Sequence, residues 1–119
     1  MMNAYFDMPS SHETDHALTP IDLDFLSSQA GHDRELVEDL LHIFVKQVRS
    51  LSRTMHTESD LEAVLRAAHT LKGTARAVGA ARIEASVEAL ERDAENKKCL
   101  AQLSDEVDAA CDYVASLLR

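Results

Sequence analysis

A histidine, a lysine and a glycine lie close together in a segment that otherwise has the pattern of an amphipathic helix. They are His69, followed by Lys72 and Gly73. Residues three and four positions apart are neighbours on a helix surface, so Lys72 and Gly73 should both adjoin the imidazole. A glycine inside a helix costs about 1 kcal/mol relative to alanine, which indicates that a Cβ atom here would obstruct something. The pattern predicts an exposed imidazole beside a cation and a stretch of uncovered backbone.

These residue types suit transfer of an anionic group better than hydrolysis. A neutral imidazole is a nucleophile, and a nearby ammonium disfavours a second positive charge, so we expect Lys72 to keep His69 unprotonated. The same ammonium would stabilise arriving phosphoryl oxygens, and the missing Cβ of Gly73 would let a partner approach for in-line transfer. No carboxylate, serine or cysteine on this predicted face completes a hydrolytic nucleophile and base pair.

The rest of the sequence predicts helices that would hold this segment. Only 3 Gly and 2 Pro occur in 119 residues, so helix breakers are few. Four apolar seams recur at spacings of three and four residues, which is typical of bundle helices. The seams consist of Val37, Leu41, Phe44, Val48, Leu51 and Met55; Leu61, Leu65, Ala68, Leu71, Ala75 and Val78; Ile83, Val87, Leu90 and Ala94; and Leu100, Leu103, Val107, Ala110, Val114 and Leu117. We predict an all-α fold, an antiparallel up-down four-helix bundle of similar helix lengths.

A short additional helix is expected before the bundle. Thr19 is a good N-cap and Pro20 suits the first helical position, so this helix should run to Gly31 and lie across one end of the bundle. Residues 1–18 show no period and are expected to form a flexible tail. The folded domain would then span residues 19–119, and we expect a stand-alone monomer.

Three further signals predict where the bundle helices begin and end. Ser59 with Glu62 has the spacing of a capping box at the start of the second long helix. Gly79 is a natural stop for that helix. Lys97 and Lys98 are cations suited to the C-terminus of the third, so we expect that helix to end near them.

Composition makes several classes of function improbable. The formal net charge of -9 repels nucleic-acid phosphates and anionic lipid, which favours a protein partner over nucleic acid or membrane. Cys99 and Cys111 are too few for a disulfide scaffold and suit a reducing compartment. No segment has the pattern of a signal peptide or membrane span, so we expect a cytoplasmic protein.

One motif suggests a different chemistry and is rejected. Residues 12–16 spell His-Glu-Thr-Asp-His, the H-E-x-x-H pattern of zinc proteases. That motif requires a helix, a third ligand and a substrate cleft, and none is indicated near this tail. A metal-dependent hydrolase would lose its activity when residues 1–18 are removed.

Two stretches resemble the histidine-containing phosphotransfer (HPt) domains of multistep phosphorelays. The string Ala-His-Thr-Leu-Lys-Gly-Thr at residues 68–74, followed by Val-Gly-Ala at 78–80, is similar to the signature helix of that family. The string Gly-His-Asp-Arg-Glu-Leu-Val at residues 31–37, continuing to Phe44, is similar to its first bundle helix. The resemblance runs from about Ile21 to the C-terminus.

This resemblance implies a role for each residue of the motif. His69 would be phosphorylated through Nε2, with Lys72 and Gly73 in support. The chain would accept the phosphoryl group from the aspartyl phosphate of one receiver domain and pass it to another. Its partners would be receiver domains of hybrid sensor kinases and response regulators. The receiver would bring the Mg²⁺, so the chain would need no cofactor and have no kinase activity of its own.

A docking surface is predicted less directly. Leu36, Leu40 and Ile43 form a second apolar line beside the seam of the first long helix. Since apolar stripes usually serve the core, we favour cover by Phe25 and Leu26 of the short helix over contact with a partner.

Charged residues supply the remaining interface candidates. Arg66 and Arg76 are predicted to lie in the partner interface. Arg76 stands where HPt domains more often have a small residue, and it would narrow the choice of partner or reach the phosphoryl group. The acidic residues are interpreted as solvated helix faces without a site role, including Glu58, Asp60, Glu84, Glu88 and Glu91.

A helical adaptor or inhibitor that docks on a kinase or response regulator without being phosphorylated is the alternative function. It should keep working with His69→Ala, whereas a phosphotransfer protein should still bind its receiver but lose transfer.

Overall fold

A computed structural model describes residues 19–119, and all regular structure within them is helical. The helices are α1 Leu23–Gln29, α2 Arg34–Thr57, α3 Leu61–Val78, α4 Ala81–Arg92 and α5 Lys97–Leu117. The predicted all-α class is confirmed.

Helices α2 to α5 form a closed ring in which α2 packs on α3, α3 on α4, α4 on α5, and α5 on α2. Consecutive helices are joined by short connections, which makes neighbours in the ring antiparallel. Helix α1 packs on α2 and α3. The antiparallel four-helix bundle with a short additional N-terminal helix is confirmed.

One continuous apolar core lies between the four long helices. Most predicted seam residues are buried, and the largest fully buried side chains include Phe44, Leu71, Leu90 and Leu103 from the four bundle helices. Two predicted seam residues, Leu61 and Leu117, are instead about 40% exposed. These two leucines lie in terminal turns, where no neighbouring helix covers them completely.

The predicted end of the third helix was wrong. Helix α4 ends at Arg92, and Lys97 and Lys98 begin α5 instead. The Asn96 side chain accepts a hydrogen bond from the Lys98 backbone N–H at 2.9 Å, so residue 96 is an N-cap that separates the two helices. As a result α4 has 12 residues against 24 in α2, and the helices are not of similar length.

The start of α1 also differs from the prediction. The N-cap is Asp22, whose carboxylate accepts a hydrogen bond from the Phe25 backbone N–H at 3.1 Å. Thr19 lies outside the helix, and its hydroxyl donates a hydrogen bond to the carbonyl of Ile21. The helix ends at Gln29, two residues before Gly31.

The boundaries of α3 are partly as predicted. Asp60, rather than Ser59, is the N-cap, and its carboxylate accepts from the Glu62 backbone N–H at 3.2 Å. Gly79 ends the helix as expected, in the left-handed conformation with φ of 72°. Its carbonyl accepts a hydrogen bond from the Asp22 backbone N–H at 3.0 Å, so this glycine also fastens the segment leading into α1 to the end of α3.

Candidate functional site

His69 lies on α3 at the level where α4 stops. Its imidazole is 77% exposed, while Ala68 and Leu71 on the same helix are completely buried and fix the orientation of α3 in the bundle. Across the helix pair His69 is opposite Glu91, the last residue but one of α4. The first two turns of α3 therefore extend past the end of α4, and the imidazole projects from α3 at the level of that end.

Gly73 lies one turn further along α3 and is exposed. A Cβ atom built on it would meet no atom within 4 Å apart from its chain neighbours and the adjoining backbone of its own helix. The packing of this chain therefore does not require glycine at position 73, and the space above its Cα is open to another molecule.

Lys72 is held by a carboxylate from the neighbouring helix. Its Nζ donates a hydrogen bond to Oε1 of Glu91 at 2.8 Å, and only 14% of its side chain is exposed. The second oxygen of the same carboxylate, Oε2, lies 3.7 Å from Nδ1 of His69. The hydrogen bond from Lys72 lowers the pKa of Glu91 below its usual value. The site thus contains a carboxylate that bridges the lysine and the histidine.

Glu91 corrects one sequence-based interpretation and adds to another. It was assigned to a solvated face without a site role, yet its carboxylate lies 3.7 Å from Nδ1 of His69. Lys72 was expected to act on His69 through its positive charge, and that charge is paired with Glu91. No local signal marks Glu91, because its place depends on the register of α4 against α3.

Arg76 continues the row of charge contacts between α3 and α4. Its Nε donates to Glu84 Oε2, and its Nη2 lies 4.0 Å from Glu88 Oε2. The hydrogen bond and charge of Glu84 raise the pKa of Arg76 above its ordinary value. The guanidinium is thus directed along α4, one turn beyond Lys72 and away from His69. Glu84 and Glu88 therefore have partners that the sequence interpretation did not give them.

Two shallow grooves share Thr70 of α3, and the exposed imidazole of His69 lines one of them. Residues of α3 alone form the first, which places Arg66 on the same surface as His69; it is lined by Glu62, Leu65, Arg66, His69 and Thr70. The second lies between α2 and α3 on the side of α3 opposite α4; it is lined by Lys46, Gln47, Ser50, Leu51, Thr70 and Thr74. Four of the six residues that line the groove between α2 and α3 carry a hydroxyl or amide group, whereas the α3–α4 side is ion-paired.

The apolar line on α2 is only partly covered by α1. Leu36 is 41% exposed and Ile43 is 51% exposed, whereas Leu40 is half-buried. Leu26 is buried and shares a groove with Leu40 and Ile43, but Phe25 is itself 38% exposed. Helix α1 therefore covers this line only in part, because Phe25 packs toward Gly79 at the end of α3. Partial exposure is compatible both with cover by α1 and with contact to a partner.

Other predicted features fall outside this site. The H-E-x-x-H pattern and the rest of residues 1–18 lie outside the described residues. Within residues 19–119, no three His, Cys, Asp or Glu side chains are grouped so as to hold a metal ion. No helix in that range combines the length and apolar character needed to cross a membrane.

Comparison with known families identifies the class. The family model of the Hpt domain matches residues 24–117, which include all of the bundle and most of α1. The chain belongs to the Hpt domain family, as its sequence resemblance predicted. Members of this family are phosphocarriers of two-component phosphorelays that interact with receiver domains. Searches of curated proteins and of solved structures gave no match.

Proposed function

We propose that this protein accepts a phosphoryl group on Nε2 of His69 from the aspartyl phosphate of one receiver domain and passes it to another. The observation that carries the proposal is the 77% exposed imidazole one helical turn from uncovered backbone at Gly73. A nucleophile on a rigid helix with open space beside it suits attack on a group that a second protein presents.

The reaction needs few groups from this chain. The lone pair of Nε2 attacks phosphorus, and the bond from phosphorus to the aspartate oxygen breaks with its electron pair, which regenerates a carboxylate. Nδ1 is the ring nitrogen nearest Glu91, which is consistent with Nε2 acting as the nucleophile. Lys72 lies close enough on the helix surface to help neutralise phosphoryl oxygens. Passing the group onward is the same step in reverse.

The receiver domain would supply the remaining parts of the active site. Mg²⁺ is usually held by one or two carboxylates together with phosphate oxygens, and a receiver that carries the phosphorylated aspartate can provide both. The chain is thus proposed to need no cofactor of its own and to act as a carrier without kinase activity.

The docking surface is proposed to include the apolar line of α2 and the arginines of α3. Leu36 and Ile43 are exposed large apolar side chains, and Leu40 lines a groove together with Ile43. Arg66 lies on the surface around His69, and Arg76 lies further along α3, beyond Gly73. Apolar contact would contribute affinity, and the arginines would help to select the partner.

The test is to mix the protein with a panel of Mg²⁺-loaded, radiolabelled phospho-receiver domains and to compare wild type with His69→Gln. We expect label on wild type alone, stable to alkali and labile to acid. If one receiver binds both versions and labels neither, the relay function is wrong and the non-phosphorylated adaptor replaces it.

A further inference from the structure

Glu91 places a negative charge where the proposed reaction would deliver more negative charge. Its carboxylate is 3.7 Å from Nδ1 of His69, and a phosphoryl group on Nε2 would lie only one imidazole ring further away. The Lys72 ammonium beside it is hydrogen-bonded to the same carboxylate at 2.8 Å. Lys72 and Glu91 together bring no net charge to the site.

The Lys72–Glu91 pair must respond when His69 is phosphorylated. As the bond from Nε2 to phosphorus forms and the bond to the aspartate oxygen breaks, the site gains a phosphoryl group carrying about two negative charges. Lys72 can give its full charge to that group only by releasing Glu91, and Glu91 itself repels the group. Both effects act against the phosphorylated form.

We infer that Glu91 destabilises phosphorylated His69 and so shifts the phosphotransfer equilibrium toward the receiver domain. The inference rests on the proposed phosphorylation of His69 and deepens it, because it names a residue of α4 that regulates how readily the group leaves. Glu91 acts as a positioning residue because it pairs with Lys72, and its own negative charge repels the phosphoryl group.

Glu91→Gln removes the charge and keeps the shape of the side chain. Glu88→Gln is the matched control, since it makes the same charge change one turn earlier on α4, where the nearest cation is Arg76 at 4.0 Å. Glu91→Asp keeps the negative charge. The equilibrium between receiver and phosphohistidine is measured with the receiver that labels wild type. We expect Glu91→Gln to favour phosphohistidine by about five- to tenfold, Glu91→Asp to favour it less because the negative charge remains, and Glu88→Gln to stay within about twofold of wild type.

A second measurement needs no receiver domain. Each protein is phosphorylated with phosphoramidate, a small donor, and decay of the phosphohistidine signal that is absent from His69→Gln is followed by ³¹P NMR. We expect this signal to decay several-fold more slowly in Glu91→Gln. Raising the salt concentration from about 0.05 M to about 0.5 M should narrow the difference, because exposed charges are screened, whereas a purely structural effect would not respond.

Two results would overturn the inference. One is an unchanged equilibrium and decay rate in Glu91→Gln; the other is an equal change in Glu88→Gln. If no receiver labels wild type but the phosphoramidate measurement gives the expected order, the proposed relay function fails while the effect of Glu91 on phosphohistidine stands.

Discussion

Gly73 and Gly79 lie six residues apart on the same segment of chain, and their surroundings are opposite. A Cβ atom at Gly73 would meet nothing within 4 Å, whereas one at Gly79 would come within 2.8 Å of Asp22 Cβ and 3.2 Å of Phe25 Cδ2. Gly79 also has φ of 72°, a conformation that other residues adopt only with strain. The fold requires glycine at position 79. At position 73 the fold does not require glycine, so only contact with a partner molecule could require it.

This difference separates function from stability along one helix. The end of α3 is occupied by the segment leading into α1, so residues there serve the fold. The middle of α3 buries Ala68 and Leu71 in the core, but its outer surface is open on one side and ion-paired on the other, so the exposed residues there can be changed with little effect on folding. Substitutions in the two regions should therefore affect different measurements.

Gly73→Gln should give the largest effect. We expect the transfer rate to fall by about ten- to a hundredfold. A side chain in the open space would prevent the receiver from placing its phosphoryl group in line with Nε2 of His69. Stability should be unchanged or rise by up to about 1 kcal/mol, since glutamine is the better helix former. Transfer kinetics and urea unfolding measure the two effects. Ala85→Gln, at an exposed position on α4, is the control, and equal transfer rates in both variants would contradict the role of Gly73.

Gly79→Ala should show the reverse behaviour. We expect it to lower the free energy of unfolding by about 2–4 kcal/mol, from left-handed strain and the contact with Asp22, while the folded fraction transfers normally. Gly31→Ala is a matched control, because φ is 65° there but a Cβ would meet nothing within 4 Å. It should cost only about 1 kcal/mol. Equal losses in the two variants would mean that the contact at Gly79 has no energetic effect.

The contact itself can be tested with a double-mutant cycle. Asp22→Gly removes the Cβ atom nearest to position 79, although it also removes the N-cap of α1 and should cost about 1 kcal/mol alone. In that background we expect Gly79→Ala to cost about 1 kcal/mol less than in wild type. Additive losses in urea unfolding would show that relief of this contact contributes nothing.

The smallest effect is expected from the ion pair in the middle of α3. The pKa of Glu91 is lowered in the folded protein, so its contribution to stability is present at neutral pH and is lost as pH falls below about 4.5. We expect the free energy of unfolding of wild type to exceed that of Glu91→Gln by less than about 1 kcal/mol at pH 7. This difference should vanish in acid. Thermal unfolding across this pH range measures it. A difference that persists in acid would show that the carboxylate charge is not its cause.

Sequence patterns predicted the helices well, because helical periodicity is a local property. The seams that include Phe44, Leu71 and Leu103 identified most of the core, and Gly79 was recognised as a stop. Local competition between caps caused most boundary errors. Asp22 replaced Thr19 as the N-cap of α1, since several residues near a helix start can accept the same backbone hydrogen bonds.

The candidate site was predicted only in part. The spacing of His69, Lys72 and Gly73 placed them on one helix surface. Glu91 was missed because no spacing along one helix indicates which residue of another helix will lie opposite it. The same limit explains why Arg76 was not expected to pair with α4.

The sequence alone determined the number of bundle helices, the faces that they bury, the end of α3 at Gly79 and the neighbours of His69 on its own helix. All of these follow from periods of three and four residues and from single residues with special backbone preferences. Only the tertiary structure decided that Lys72 is paired with Glu91, that Leu36 and Ile43 stay exposed, and that α4 stops level with His69. Those features depend on how the helices are rotated and shifted against one another, which the packing of side chains from several segments sets together.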